Sequence, residues 1–180
     1  LTEDLLDVTR IEGGTLPFRP APFNVDDLLT EVIDEVQRVT TQHQIAMELS
    51  APVTLVGDRD RIGQVITNLL TNAIKYSPQA DRIVVRTSHD GENVIITVQD
   101  FGIGIPNQDQ PYIFDRFYRV SVDDRAAYAG MGLGLYIAAE FVKRHSGSIW
   151  VESHEGQGST ISVSLPLGAP QDSHTDLAGE

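Results

Sequence analysis

DRDRIGQVITNLLTNAIKY, residues 58–76, decides how this chain folds. Ile62, Val65, Ile66, Leu69, Leu70, Ala73 and Ile74 recur at i, i+3, i+4, i+7, i+8, i+11 and i+12, the period of a helix with one buried face. The helix is expected to begin near Asp58 and to stop at Ser77-Pro78. Beside the apolar face runs a polar stripe of Asn68, Asn72 and Lys75, which Arg61 and Gln64 extend towards the helix start. A solvated face explains such a stripe, but asparagine is a poor helix former that a purely solvated face would usually replace with Glu or Lys.

Upstream, residues 1–12 carry Leu1, Leu5 and Val8 at helical spacing and stop at Gly13-Gly14, so the chain is expected to begin within a helix. The prolines of FRPAPF hold that stretch extended, and Asn24 with Asp27 makes a capping-box-like start for a helix through about Val39. IAMEL (45–49) and VTLVG (53–57) flank Ala51-Pro52 and predict a hairpin-like strand pair. Downstream, RIVVRTS (82–88) and NVIITVQD (93–100) predict a hairpin across Asp90-Gly91. Residues 102–131 show no sustained period and are expected to form a lid, since loops of that length seldom persist without a use. A third helix is expected from Gly132 to His145, and SIWVES with STISVSL forms a last hairpin across Gly156-Gln157-Gly158. The tail from Gly168 is acidic, rich in small residues and expected to be disordered. The expected fold is α+β, a two-layer α/β sandwich with a mixed sheet of about five strands and three helices on one face.

The chain has 180 residues, a net charge of −13 and no cysteine. That charge disfavours nucleic acid and anionic membrane surfaces as partners. The apolar runs fall well short of the roughly 20 residues that span a bilayer, so no membrane insertion is expected of this chain. Without cysteine there is no disulfide, thiolate chemistry or Cys-ligated zinc, and no His pair stands at i, i+4 for a metal.

Three further segments carry chemistry. The amide oxygens of Asn68 and Asn72 suit Mg²⁺ that is largely held by phosphate and water, and Lys75 can meet phosphate as a point charge. VQDFGIGIP (98–106) sets Asp100 at a strand end before Gly102 and Gly104, where a carboxylate can accept from an exocyclic amine and the glycines admit a flat ligand. A guanine carbonyl at that place would leave the carboxylate unpaired and repelled. The triplet Asp100-Phe101-Gly102 is not that of eukaryotic protein kinases, because no V-A-I-K strand or H-R-D loop precedes it. GMGLGL (130–135) places glycines at a helix start, which suits either phosphate binding or a close helix–sheet contact. In YIFDRFYR (112–119), Phe114 and Phe117 are expected to hold the lid to the body, leaving Arg116 or Arg119 able to reach a terminal phosphate.

The order of these motifs resembles the catalytic, ATP-binding domain of bacterial sensor histidine kinases, whose fold is shared with gyrase, the Hsp90 chaperones and MutL. The resemblance covers about residues 17–167, and LLDVTRIEGG (5–14) resembles the end of the family's dimerisation hairpin, placing residues 1–16 there. It implies that Asn72 coordinates Mg²⁺, Asn68 assists near the metal or phosphates, and Lys75 and Arg119 contact phosphate. Tyr76 would pack on adenine and Asp100 would read its amino group. Gly102 and Gly104 would shape that pocket, and amides around Gly130, Gly132, Leu133 and Gly134 would surround the phosphates. The gyrase, Hsp90 and MutL branches have a water-activating glutamate where Asn68 stands. An amide cannot take that proton, so Asn68 favours transfer to a histidine over hydrolysis. None of His43, His89, His145, His154 and His174 has the context of that acceptor, which is expected upstream of this fragment. The implied partners are ATP, the chain's own dimerisation domain within a homodimer, and a response regulator receiver domain, in the cytoplasm with the parent possibly membrane-anchored. Against this stand a degenerate nucleotide-binding module without transfer activity and an anti-sigma-type serine kinase.

Overall fold

The computed structural model describes residues 2–120 and 130–168. The helix that decides the fold, α3 (Arg59–Lys75), starts where expected, because the Asp58 side chain accepts from the Arg61 amide at 3.2 Å and caps it. Ile62, Val65, Ile66, Leu69, Leu70 and Ala73 are buried. At roughly 1.5–3 kcal/mol for each fully buried Leu or Ile, that face outweighs the cost of two mid-helix asparagines, about 0.7 kcal/mol each at most.

Helix α1 is Thr2–Glu12, strand β1 Ala21–Asn24, helix α2 Val25–Gln37, strand β2 Gln44–Glu48 and strand β3 Thr54–Gly57. After α3 come β4 (Arg82–His89), β5 (Asn93–Asp100), a short 3-10 turn at Gln110–Tyr112, α4 (Gly134–Arg144), β6 (Ser148–His154) and β7 (Gly158–Pro166). Five strands form one mixed sheet in the order β2-β4-β5-β7-β6, and β1 with β3 forms a separate two-stranded sheet. The α+β sandwich is therefore as expected, with α1 as a fourth helix. One core runs between helices and sheet, from Leu29 and Ile33 on α2 through α3 and Phe141 on α4 to Ile96 and Leu165 on the strands.

The hairpins 82–100 and 148–166 form as expected, pairing Ile83 with Asp100 and Ser153 with Ser159. The pair expected across Ala51-Pro52 does not form. Strand β2 runs parallel to β4, and β3 pairs antiparallel with β1. The connection is instead pinned elsewhere: the Ser50 amide donates to Thr87 Oγ1 at 2.8 Å, and the fully buried Ala51 donates its amide to Asp26 Oδ2 at 3.1 Å. Helix α2 is capped by Asn24, which accepts from the Asp27 amide at 3.0 Å, and ends before Val39, which is 82% exposed. Helix α4 starts at Gly134 and not at Gly132, whose φ of +70° breaks the helical path.

Helix α1 lies against the domain. The buried Asp7 accepts from Gln64 Nε2 at 2.8 Å and Arg61 Nη1 at 3.3 Å, and Glu12 pairs with Arg116. The Arg61 guanidinium also stands over the Phe141 ring at 5.1 Å. Arg61 and Gln64, which extend the polar stripe of α3 towards its start, thus fix α1. Part of the lid region (121–129) and nearly all of the tail (169–180) lie outside the described residues, as does His174.

Candidate functional site

A cavity of about 320 Å³ opens between the C-terminal half of α3, the end of β5, the lid stem and the start of α4. Asn68, Asn72, Lys75 and Tyr76 line it from α3, Asp100 from β5 and Gly104 from the lid stem. Arg119, Gly130, Gly132, Leu133 and Gly134 line the opposite side. Every site residue expected from the sequence is there except Gly102.

Gly102 acts from behind the wall. A Cβ on it would stand 1.9 Å from the Tyr76 carbonyl oxygen, the same oxygen that accepts from the Ile103 amide at 3.0 Å. Only glycine lets the β5 exit press against the end of α3, and this contact closes the cavity beside Tyr76.

Asp100 is 6% exposed. Its Oδ1 accepts from the amides of Gly102 at 2.9 Å and Ser159 at 3.3 Å, which leaves Oδ2 for a ligand among the described residues. Burial pushes the carboxyl up to about 6, while those two amides and the nearby charge of His43 hold it down. It is ionised near neutral pH, ready to accept hydrogen bonds.

On the opposite side, Asn68 Nδ2 donates to the Gly134 carbonyl at 3.0 Å, so its amide oxygen is the group turned to other partners. Lys75 Nζ stands 2.9 Å from the position of a Cβ on Gly130 and 4.9 Å from the Tyr76 ring centroid. The ammonium therefore sits between the glycine segment and the aromatic wall. Leu133 caps α4 without a side-chain hydrogen bond, leaving first-turn amides for an anion. Gly132 is required by backbone crowding as well as by its φ: a Cβ there would stand 2.5 Å from the Tyr118 carbonyl oxygen. The Phe117 amide donates to the Gly132 carbonyl at 3.1 Å, tying the lid box to the glycine segment.

The lid box departs from expectation at one position. Phe114 packs against the core, whereas Phe117 is 54% exposed, with a φ of +63° and the Arg116 guanidinium 5.5 Å from its ring centroid. Arg119 lines the cavity, and Arg116 is committed to Glu12. Sequence reasoning missed Asp4, Ser159 and Tyr118, which also line the cavity. Tyr118 donates to Asp109, and that bond pushes its hydroxyl up to about 12. No local period marks these residues, because they reach the cavity from three separate parts of the fold.

His43 and His145 are buried and hydrogen-bonded within the core, and His89 and His154 are exposed on strands. None of these four lines the cavity.

Residues 57–169 match the family model described as histidine kinase-, DNA gyrase B-, and HSP90-like ATPase. The chain belongs to that family. Among the relatives of this chain, the sensor histidine kinase WalK of Bacillus subtilis is 35% identical over 99% of the chain, and the sensor histidine kinase RcsC of Escherichia coli K12 is 33% identical over 95%. The chain spans 30% of the first and 18% of the second, a minor part of their length. The mycobacterial sensor histidine kinase MprB superposes with a TM-score of 0.73 at 28% identity, covering 85% of this chain and all of that one. Full-length ShkA, solved in complex with AMPPNP, superposes with a TM-score of 0.81 at 26% identity, covering 93% of this chain and 35% of that one.

Proposed function

We propose that this chain is the catalytic part of a two-component sensor histidine kinase. It binds Mg-ATP in the α3/α4 cavity and passes the γ-phosphoryl group to a histidine on a dimerisation domain. The observation that carries the reading is the joint placement of Asp100 at one side of the cavity with Asn72, Lys75 and the glycine segment at the other. One side suits a purine amine and the other a polyphosphate.

Asp100 accepts from the adenine amino group, Tyr76 packs on the base, and Gly102 and Gly104 shape the pocket around it. Lys75, Arg119 and the amides of Gly130, Gly132, Leu133 and Gly134 receive the phosphates. Asn72 holds Mg²⁺ and Asn68 assists near it: two neutral amide oxygens beside a lysine fit a metal that phosphate and water mainly hold. The bound metal neutralises charge on the phosphates. In the transfer, a neutral imidazole nitrogen of the acceptor attacks the γ-phosphorus. The bond from that phosphorus to the bridging oxygen breaks, ADP leaves with the electron pair, and the imidazole proton passes to solvent. An amide at Asn68 accepts no proton from water, which favours this transfer over hydrolysis.

Residues 1–16 form the end of the dimerisation helices, residues 17–167 the catalytic domain and 102–131 its lid. The further partners of the parent are a second copy of itself and a response regulator receiver domain, and its catalytic part works in the cytoplasm. Calorimetric titration with ATP and GTP, each with and without Mg²⁺, tests the site. Acid-labile phosphate on a separately supplied acceptor hairpin then tests transfer. Magnesium-linked ATP binding with little GTP binding is expected, and binding of neither nucleotide overturns the proposal.

A further inference from the structure

We propose that Ser153, a buried serine on β6 that does not line the cavity, is the positioning residue that sets Asp100 and the lid stem for reading adenine. Its hydroxyl is a hub. Oγ donates to the Gly158 carbonyl at 3.0 Å, accepts from the Ile105 amide at 2.8 Å, and shares a 2.8 Å hydrogen bond with Ser159 Oγ. One donor and two acceptor positions are thereby all engaged, with Ser159 as donor in the shared bond.

Each partner leads to the base-reading wall. Ser159 lines the cavity, and its amide is one of the two that hold Asp100 Oδ1. Gly158 comes so close to Asp100 that a Cβ there would stand 2.2 Å from the Asp100 carbonyl oxygen. Ile105 lines the cavity from the lid stem. The Ser153 carbonyl extends the grip by accepting from Gln110 Nε2 at 3.0 Å, and the same nitrogen donates to the Ile105 carbonyl at 3.0 Å. Beside them the Gly156 amide donates to the Ile103 carbonyl at 2.7 Å. The turn between β6 and β7 is thus stitched to residues 103–105, with Ser153 as its side-chain link.

Removing this hydroxyl leaves the Ile105 amide, the Gly158 carbonyl and the Ser159 hydroxyl each short of a partner inside the protein. Asp100 keeps the Gly102 amide but loses the fixed position of the Ser159 amide. The loss therefore falls on recognition of the amino group, while the phosphate side, built on α3 and α4, is untouched.

The inference rests on Asp100 reading the adenine amino group. The test is a cycle of two changes: Ser153→Ala in the protein, and ATP against purine riboside triphosphate, which lacks the 6-amino group, in the ligand. In the unchanged chain, deleting the amine should weaken binding by about tenfold or more, the scale of a hydrogen bond to a charged group. In Ser153→Ala that factor should collapse to about twofold, and Ser153→Thr, which retains the hydroxyl, should restore it. Ser153→Cys, which keeps an atom at the γ position but only a weak hydrogen-bonding group, should behave as alanine does and serves if the alanine variant does not fold. A lowered melting temperature with the amine factor unchanged makes Ser153 structural and overturns the inference. An unchanged chain that binds both triphosphates equally overturns the Asp100 reading first, and the inference with it.

Discussion

Asn68 Nδ2 donates to the Gly134 carbonyl oxygen at 3.0 Å, joining the middle of α3 to the first residue of α4 across 66 positions of sequence. The helix that carries the amides and the helix that the glycine segment opens are thereby held as one unit. The bond also decides which end of the Asn68 amide is spent on structure and which is offered to the cavity. A carboxylate here would meet the Gly134 carbonyl with two acceptors and no donor, so the asparagine suits the packing as well as the proposed chemistry.

Asp100→Asn should weaken ATP binding by roughly 1–3 kcal/mol, the scale of a buried hydrogen bond to a charged group. Unchanged affinity in a calorimetric titration removes Asp100 from the base pocket. The carboxyl titrates at about 6 in the folded chain against an ordinary 3.8, which gives two opposite pH effects. Between those values the native state binds more protons than the unfolded one, so this group favours folding at low pH and that contribution is lost as pH rises through about 6. The proposed contact with the adenine amine needs the ionised form, so ATP affinity should fall as pH drops below about 6, by up to about tenfold per unit. Equal affinity at about pH 5 and about pH 7.5 would contradict an ionised Asp100 as the amine acceptor.

Asn72→Ala should abolish the magnesium dependence of ATP binding while leaving the fold intact, because Asn72 is only partly buried and lies beside the buried face of α3. Titrations with and without Mg²⁺ should then coincide, with circular dichroism unchanged. If magnesium still strengthens binding, another residue holds the metal.

Much of this site is legible in the sequence because its chemistry sits at the ends of periodic elements. The apolar period of α3 fixes the face on which Asn68, Asn72 and Lys75 stand, and the alternation of β5 ends at Asp100. What escaped is what depends on distant partners. Residues 45–57 alternate well enough for a hairpin, yet β4 offers β2 a longer parallel partner and β1 takes β3, which no local pattern encodes. Arg61 and Gln64 continue the stripe of α3, and only the arrival of α1 diverts them to Asp7. Phe117 has the spacing of a packing residue, but its left-handed φ turns it outwards.

Asp7→Ala should lower stability by about 1–3 kcal/mol, since it leaves Arg61 and Gln64 without their shared acceptor in a place where Arg61 keeps only 19% of its side chain exposed. For a chain of this size that corresponds to about 2–4 °C of melting temperature per kcal/mol. ATP affinity should stay as it was, because Asp7, Arg61 and Gln64 do not line the cavity. An unchanged melting curve would mean that α1 contributes nothing through this contact.

His145→Phe tests the joint between the start of α3 and the end of α4. His145 Nε2 accepts from the Asp58 amide at 2.9 Å, and Nδ1 donates to the Phe141 carbonyl at 2.7 Å, so the fold needs the neutral ring. Burial holds the ring below its ordinary 6.5, against the Phe141 carbonyl and the Asp58 carboxylate, which favour the charged form, while Arg144 adds to the lowering. The unfolded chain therefore binds more protons than the native one just below that value, and stability from this group is present above about 6.5 and lost as pH falls from there through the lowered value of the folded ring. Phenylalanine can keep the edge packing on Phe18, whose ring centroid lies 4.9 Å away, but it offers the Asp58 amide no acceptor. The variant should lose about 1–3 kcal/mol above pH 7. The gap should narrow on acidification, because only the unchanged chain must give up a neutral imidazole. Urea denaturation at about pH 7.5 and about pH 5.5 checks both statements. A gap that is the same at the two values would mean that His145 does not enter the acid sensitivity of the fold.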